Sequence, residues 1–168
     1  MIRWLSLIPI LLGILLMGCS MQTTAKPPTP TPSPTSQTAA PTGQTLPISA
    51  KAIVPNNTTI QLEVAKTQEQ QEKGLMYRPA LPDNRGMLFK FPSPQPVRFW
   101  MKNVPVPLDM VFLQNGVVMY VETSAPPCTG DPCPTYGPNV PVDTVIELRS
   151  GRAAELNLQQ GDRVKIEF

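Results

Sequence analysis

The chain has 168 residues, with 14 Lys and Arg against 12 Asp and Glu, no His, and a formal charge of +2. The lack of His excludes Ser-His-Asp and Cys-His catalytic arrangements, and it removes both the commonest metal ligand and the usual group that titrates near neutral pH. The basic residues are scattered rather than gathered into the patch or stripe that nucleic-acid binding requires, so no nucleic-acid partner is expected.

Met1-Ile2-Arg3 gives a short positive start, and Trp4 to Met17 is apolar and free of charge. A comfortable membrane span takes about 20 residues. This shorter run fits the hydrophobic region of a signal peptide. It ends in Leu16-Met17-Gly18-Cys19, which resembles the bacterial lipobox. Residues 1–18 are therefore expected to be cleaved and Cys19 lipidated, since two or more acyl chains anchor stably where one does not. The competing reading is an uncleaved signal anchor with a chance cysteine. Ser20 after the cysteine, in place of Asp, points by analogy with enteric bacteria to the outer membrane. The expected location is the bacterial cell envelope, as a membrane-anchored lipoprotein facing the periplasm or exterior.

Residues 19–51 read as a tether. Ser20 to Ala50 holds seven Pro, eight Thr and a single charge, Lys26. Such a segment buries too little apolar surface to offset its ordering entropy. In a polyproline conformation it would reach roughly 90 Å.

Residues 52–168 read as one globular domain, long enough for a single core. Ile60, Leu62 and Val64 alternate with polar residues, so Thr59 to Ala65 is a predicted half-buried strand. Thr67 and Gln70 form a capping-box pattern for a short helix over 68–73, ended by Gly74, with Leu75 and Met76 packing back on the core. Gly86 to Phe91 is a strand stopped by Pro92, and Val97 to Asn103 is a third, with Val97, Phe99 and Met101 on one face. Leu108 to Leu113 and Val117 to Glu122 pair across Asn115-Gly116, a type I′ hairpin signal. A loop with six prolines, Thr123 to Val142, precedes a strand over 143–148, a short helix over 152–157 and a last strand over 164–168. The predicted fold is α+β, predominantly β. It is a compact barrel-like or half-open sheet of six or seven strands with one or two short helices, an arrangement that protects sheet edges.

With Cys19 lipidated, Cys128 and Cys133 remain, and an even number of cysteines outside the cytoplasm suggests a disulfide. Two thiols without His fall short of a zinc site. The methionines sit at apolar positions and read as core rather than as copper ligands. No metal or cofactor is expected.

Gly74-Leu75-Met76-Tyr77-Arg78, Gly86-Met87-Leu88-Phe89, the run from Arg98 to Asn103, Pro107-Leu108-Asp109-Met110 and Val145-Ile146-Glu147-Leu148 together closely resemble the DUF192 family of small, often exported bacterial and archaeal domains. The resemblance covers about Ile60 to Phe168. It implies a compact β-rich fold and no established reaction, cofactor or substrate, so no catalytic residues are carried over. Val104 stands where the family usually has Thr or Ser, which removes a hydroxyl from any mechanism that needs one.

The polar residues inside these motifs are the candidates for function. Lys102, Asn103 and Asp109 flank the Pro105–Pro107 turn, which is expected to gather them. With Arg78 and Arg98 as further cations and Trp100 as a flat wall, such a group suits an anionic or polar ligand. The structural alternative is that Lys102 pairs with Asp109 and Asn103 bonds to the backbone, because half-buried charges need partners. Three functions follow. The first is a tethered binding module for a small or polymeric envelope ligand, and the second a structural protein docking on another envelope protein. The third, least favoured, is a His-independent enzyme using Lys102 and Asp109.

Overall fold

The computed structural model describes residues 42–168. The expected signal peptide, Cys19 and the tether up to residue 41 lie outside the described residues.

Regular structure starts before Ala52. Strand β1 (Ile48–Ile53) takes in residues that composition assigns to the tether. Its Ala50 and Ala52 are buried opposite Leu62 and Ile60 of β2 (Thr59–Ala65). Small alanines supply little hydrophobic signal, yet they allow the two strands to pack closely.

Helix α1 (Gln68–Lys73) forms as its capping box predicts. Thr67 accepts from the Gln70 N–H, Gln70 accepts from the Thr67 N–H, and Gly74 at φ +44° closes the last turn. This helix belongs to the crossover that lets β3 (Arg85–Gln95) lie parallel to β2, the one parallel pair in an otherwise antiparallel sheet of the described residues. β3 does not stop at Pro92. It pairs with β8 (Val142–Arg149) through Lys90↔Thr144, bulges outward, and resumes at Gln95↔Val142. Pro92 and Pro94 fall in the exposed bulge, where no N–H is required of them.

The predicted third strand is the main departure. Only β4 (Phe99–Trp100) is extended and paired, and it forms a separate two-stranded sheet with β7 (Thr135–Tyr136). A turn closed by the Val104 N–H on the Met101 carbonyl, with Asn103 at φ +58°, ends it early. The alternation survives in part: Val97 and Met101 are buried, Phe99 is half-buried, and Arg98 and Trp100 are exposed.

β5 (Leu108–Gln114) and β6 (Val117–Ala125) meet at Asn115-Gly116, both with positive φ as the type I′ turn requires. Helix α2 (Arg152–Glu155) and β9 (Lys165–Glu167) complete the described residues. The main sheet runs β6-β5-β8-β3-β2-β1-β9. It does not close by strand pairing, but an isolated bridge between Val117 and Arg163 joins the β6 edge to the lead-in of β9. The half-open alternative is therefore the observed one, with nine strands among the described residues, two of them only two residues long. Cys128 and Cys133 form a disulfide in the long loop.

Two core clusters lie on opposite faces of the sheet. One includes Leu62, Leu88, Val111, Ile146 and Leu148, with Ala153 and Leu156 of the α2 segment. The other includes Met87, Phe89, Met110, Phe112 and Val145, covered by Leu75, Val97, Met101 and Val104. Strands β5 and β8 are thus buried on both sides, and residues 108–113 and 145–148 are apolar on both faces apart from Asp109 and Glu147.

Asp109 lies within this framework with no exposed surface. Its carboxylate accepts the N–H groups of Ser124 (2.8 Å), Gly151 (3.1 Å) and Ala153 (2.8 Å), tying β5 to the end of β6 and the start of α2. Asp109→Asn puts an amide donor among these donors. Hydrogen bonds to charged groups contribute about 1.5–3 kcal/mol each, so this variant is expected to unfold in denaturant with a loss of roughly 2–3 kcal/mol. An unchanged midpoint would contradict a structural role.

Candidate functional site

α1 and the segment Pro96–Val104 stand side by side over the second core cluster, and a groove runs between them. Each wall is fixed by local bonding. Gln71 donates its side-chain amide to the carbonyl of Ala65, and Gln44 donates to the carbonyls of Gln70 and Gly74 at the helix end. The two walls are joined by the Tyr77 N–H on the Asn103 carbonyl at 2.8 Å, with both residues at left-handed φ near +60°. Asn adopts that conformation readily, and bulky residues do so at a cost.

Trp100 divides the groove. It is 47% exposed, the largest apolar side chain left open beside the helix. One lobe, about 420 Å³, is lined by Phe89, Phe91, Val97, Phe99 and Gln71. The other, about 660 Å³, is lined by Glu69, Lys73, Met76, Tyr77, Lys102 and Asn103. Lys102 Nζ lies 5.4 Å from the centre of the Trp100 ring, within cation–π range. Between the lobes lies a narrow cavity of about 30 Å³, lined by Phe89, Phe99 and Trp100, by Glu72 and Lys73 of α1, and by Glu147.

Glu147 is the group that the sequence reading missed. It lies on β8 between Met87 of β3 and Met110 of β5, and only 5% of it is exposed. Its Oε2 is buried with no hydrogen-bond partner among the described residues. Burial alone pushes its carboxyl up to about 8, so it is largely neutral at pH 7. The signal was available: a lone acid inside the apolar run Val145-Ile146-Glu147-Leu148 of a strand buried on both faces.

The expected cluster is only partly assembled. Trp100, Lys102 and Asn103 share the groove, and Arg98 lines its first lobe. Arg98 is committed to the long loop, donating to the carbonyls of Gly137 and Pro138 and to the side chain of Asn139. Lys102 pairs with Asp131, not with Asp109, whose oxygens face main-chain N–H groups on other elements. The acid–base pair Lys102–Asp109 is not formed. Asn103 donates to the Met76 sulfur at 3.9 Å and holds the turn. Arg78 lines neither lobe: it grips buried Glu63 through two bonds, of 2.7 and 2.9 Å. Burial pushes the Glu63 carboxyl up, but the Arg78 hydrogen bonds, the Leu46 N–H and the charges of Arg78 and Arg85 outweigh it and hold the carboxyl below its ordinary value. Among the described residues no cluster of three or more His, Cys, Asp or Glu is disposed to hold a metal.

The model for the family DUF192, described as uncharacterised, matches residues 51–166. Two solved structures are similar. One is a Sinorhizobium meliloti 1021 protein proposed to be a transcription regulator, with 32% identity, a TM-score of 0.62, and coverage of 73% of this chain and 97% of that one. The other is a protein of unknown function from Novosphingobium aromaticivorans DSM 12444, with 31% identity, a TM-score of 0.60, and coverage of 76% and 94%. No curated protein matches the chain.

The burial of Glu147 makes stability depend on pH. A carboxyl raised on folding contributes stability that is full below its unfolded value, near 4.5, and is lost as pH rises through about 8. The slope is up to about 1.4 kcal/mol per pH unit over that window. Glu147→Gln keeps the shape and has no charge to bury. Melting curves from pH 5 to pH 8.5 should show this variant gaining on wild type as pH rises, and parallel curves would contradict the assignment.

Proposed function

The chain belongs to the DUF192 family, whose activity is uncharacterised, and from that premise we propose that this member is a lipid-anchored binding module of the cell envelope that seats a small or polymeric ligand in the groove around Trp100. The observation that carries the reading is an exposed indole held between two lobes, with aromatic and apolar walls and a few convergent polar groups. Ligand sites have this composition. Although Trp100 pairs with Thr135 and faces Lys102, about half of it stays open, and large exposed aromatics mark binding surfaces.

The remaining features support the same picture. Lipidation at Cys19 and cleavage of residues 1–18 would fix the chain to the membrane, leaving the Pro/Thr-rich stretch to hold the domain away from it. The Cys128–Cys133 disulfide suits an oxidising compartment. Nucleic acid is not among the proposed partners. The cations at the groove, Lys73, Arg98 and Lys102, alternate with Glu69 and Glu72 and form no basic stripe. Docking on another envelope protein is the second reading, favoured by Tyr77, which is also exposed in the same lobe. Catalysis by Lys102 and Asp109 has no assembled pair to support it.

Trp100→Ala tests the proposal. Because the ring is half exposed, the variant should melt within a few degrees of wild type. Incubated with fractionated envelope extract from the source cells, wild type should retain a small-molecule or polymer fraction that Trp100→Ala does not, as read by mass spectrometry of the eluate. Equal retention by both proteins would remove the groove from consideration, and recovery of one stoichiometric protein would favour docking.

A further inference from the structure

The narrow cavity beneath Trp100 has a composition that neither lobe has. Three aromatic rings, Phe89, Phe99 and Trp100, line it together with Glu147, whose Oε2 is buried without a partner. Phe89 and Phe99 meet edge to face, with ring centres 5.0 Å apart. Aromatic rings attract cations through their negative faces. A buried carboxyl without a partner is costly unless something supplies the opposite charge or a hydrogen bond. Rings and carboxyl therefore favour the same occupant.

We infer that this cavity is the specificity pocket of the groove and that it takes the head of a primary alkylammonium, with Glu147 as its counter-ion and Phe89, Phe99 and Trp100 as its walls. The inference rests on the reading of the groove as a binding site. Size selects the head group. About 30 Å³ holds a group of one or two water-sized centres, which fits an ammonium and excludes a trimethylammonium. The adjoining lobe lined by Phe91 and Val97 suits the alkyl tail. The charged groups facing Glu147 are few. Glu72 and Lys73 of α1 line the cavity and offset one another, and the flanking residues on β3 and β5 are Met87 and Met110. Glu63, next beyond Met87 in the same row, is neutralised by Arg78. With Glu147 ionised the pocket is one charge short, and an ammonium supplies it. Because Glu147 is protonated when the pocket is unoccupied near pH 7, it would release its proton to solvent as the cation enters.

Trp100 also provides the readout, since Trp4 is the only other tryptophan in the chain. The chain expressed with Trp4→Phe, so that any uncleaved precursor adds no signal, is titrated in detergent with n-pentylammonium chloride and separately with n-pentanol while Trp100 fluorescence is followed. The expected result is saturable binding of pentylammonium that is weaker by about tenfold or more, the equivalent of one 1.4 kcal/mol step, both for pentanol and in Glu147→Gln. Affinity should rise by up to about tenfold per pH unit as pH approaches 8 and then level off. If pentanol binds as well as the amine and Glu147→Gln changes nothing, the groove reading stands and the ammonium pocket is overturned. If neither compound perturbs Trp100, the ammonium pocket is overturned, and the groove reading is decided by the envelope-extract comparison of wild type with Trp100→Ala. Glu147→Gln is expected to fold at least as well as wild type, so loss of binding in a variant with an intact melting transition is interpretable.

Discussion

The ion pair between Glu63 and Arg78 holds the functional face together. Glu63 is almost wholly buried on β2, in a sheet where an unpaired carboxylate would be strongly destabilising. Arg78 answers it with two parallel bonds, and the Leu46 N–H adds a third at 2.7 Å. To make those bonds the chain after α1 must turn back sharply over the sheet, which it does through Gly74 and Tyr77 at positive φ. That path brings the Tyr77 N–H to Asn103 and so sets the distance between the helix and the Trp100 segment. The groove is a consequence of satisfying one buried charge.

The buried carboxyls of the sheet are handled in contrasting ways. Glu63, Met87, Glu147 and Met110 form one cross-strand row on the same face. Glu63 has a guanidinium, and Asp109, beside Met110 on the other face, has three main-chain donors. Among the buried carboxyls of the described residues, only Glu147 has an oxygen left without a partner. Sites that recognise ligands retain such uncompensated groups at the expense of stability, and perturbed ionisable groups in clefts mark them. The row sets that group in the lining of the cavity, while Glu63 is neutralised by Arg78.

Much of this fold is legible in the sequence, and the residues show why the rest is not. The capping box of Thr67 and Gln70 and the Asn115-Gly116 turn depend on local hydrogen bonds, and both form as read. β1 escapes notice because its buried positions are Ala50 and Ala52, which give little apolar signal at the end of a Pro/Thr-rich stretch. Val97 to Asn103 has the alternation of a long strand, but that alternation records only which side chains face the core, while the main chain turns at Met101. Pro92 reads as a stop because the bulge that accommodates it is set by β8, far along the chain. At the site, Trp100, Lys102 and Asn103 are found together because they are contiguous in sequence. The partners of Arg78 and Asp109 lie 15 to 44 residues away, so the sequence shows their charge and not their use. Glu147 is overlooked because an acid in a strand is ordinarily taken for the solvent side, whereas β8 has no solvent side.

The central claim is that the groove between α1 and β4 is the place where this domain meets its ligand. Crystals of the protein soaked with a diverse set of small amphiphilic fragments test it most directly. The account predicts that bound fragments concentrate against Trp100, with the cationic ones reaching down toward Glu147. Fragments spread over the surface, with the groove empty in every data set, would contradict it.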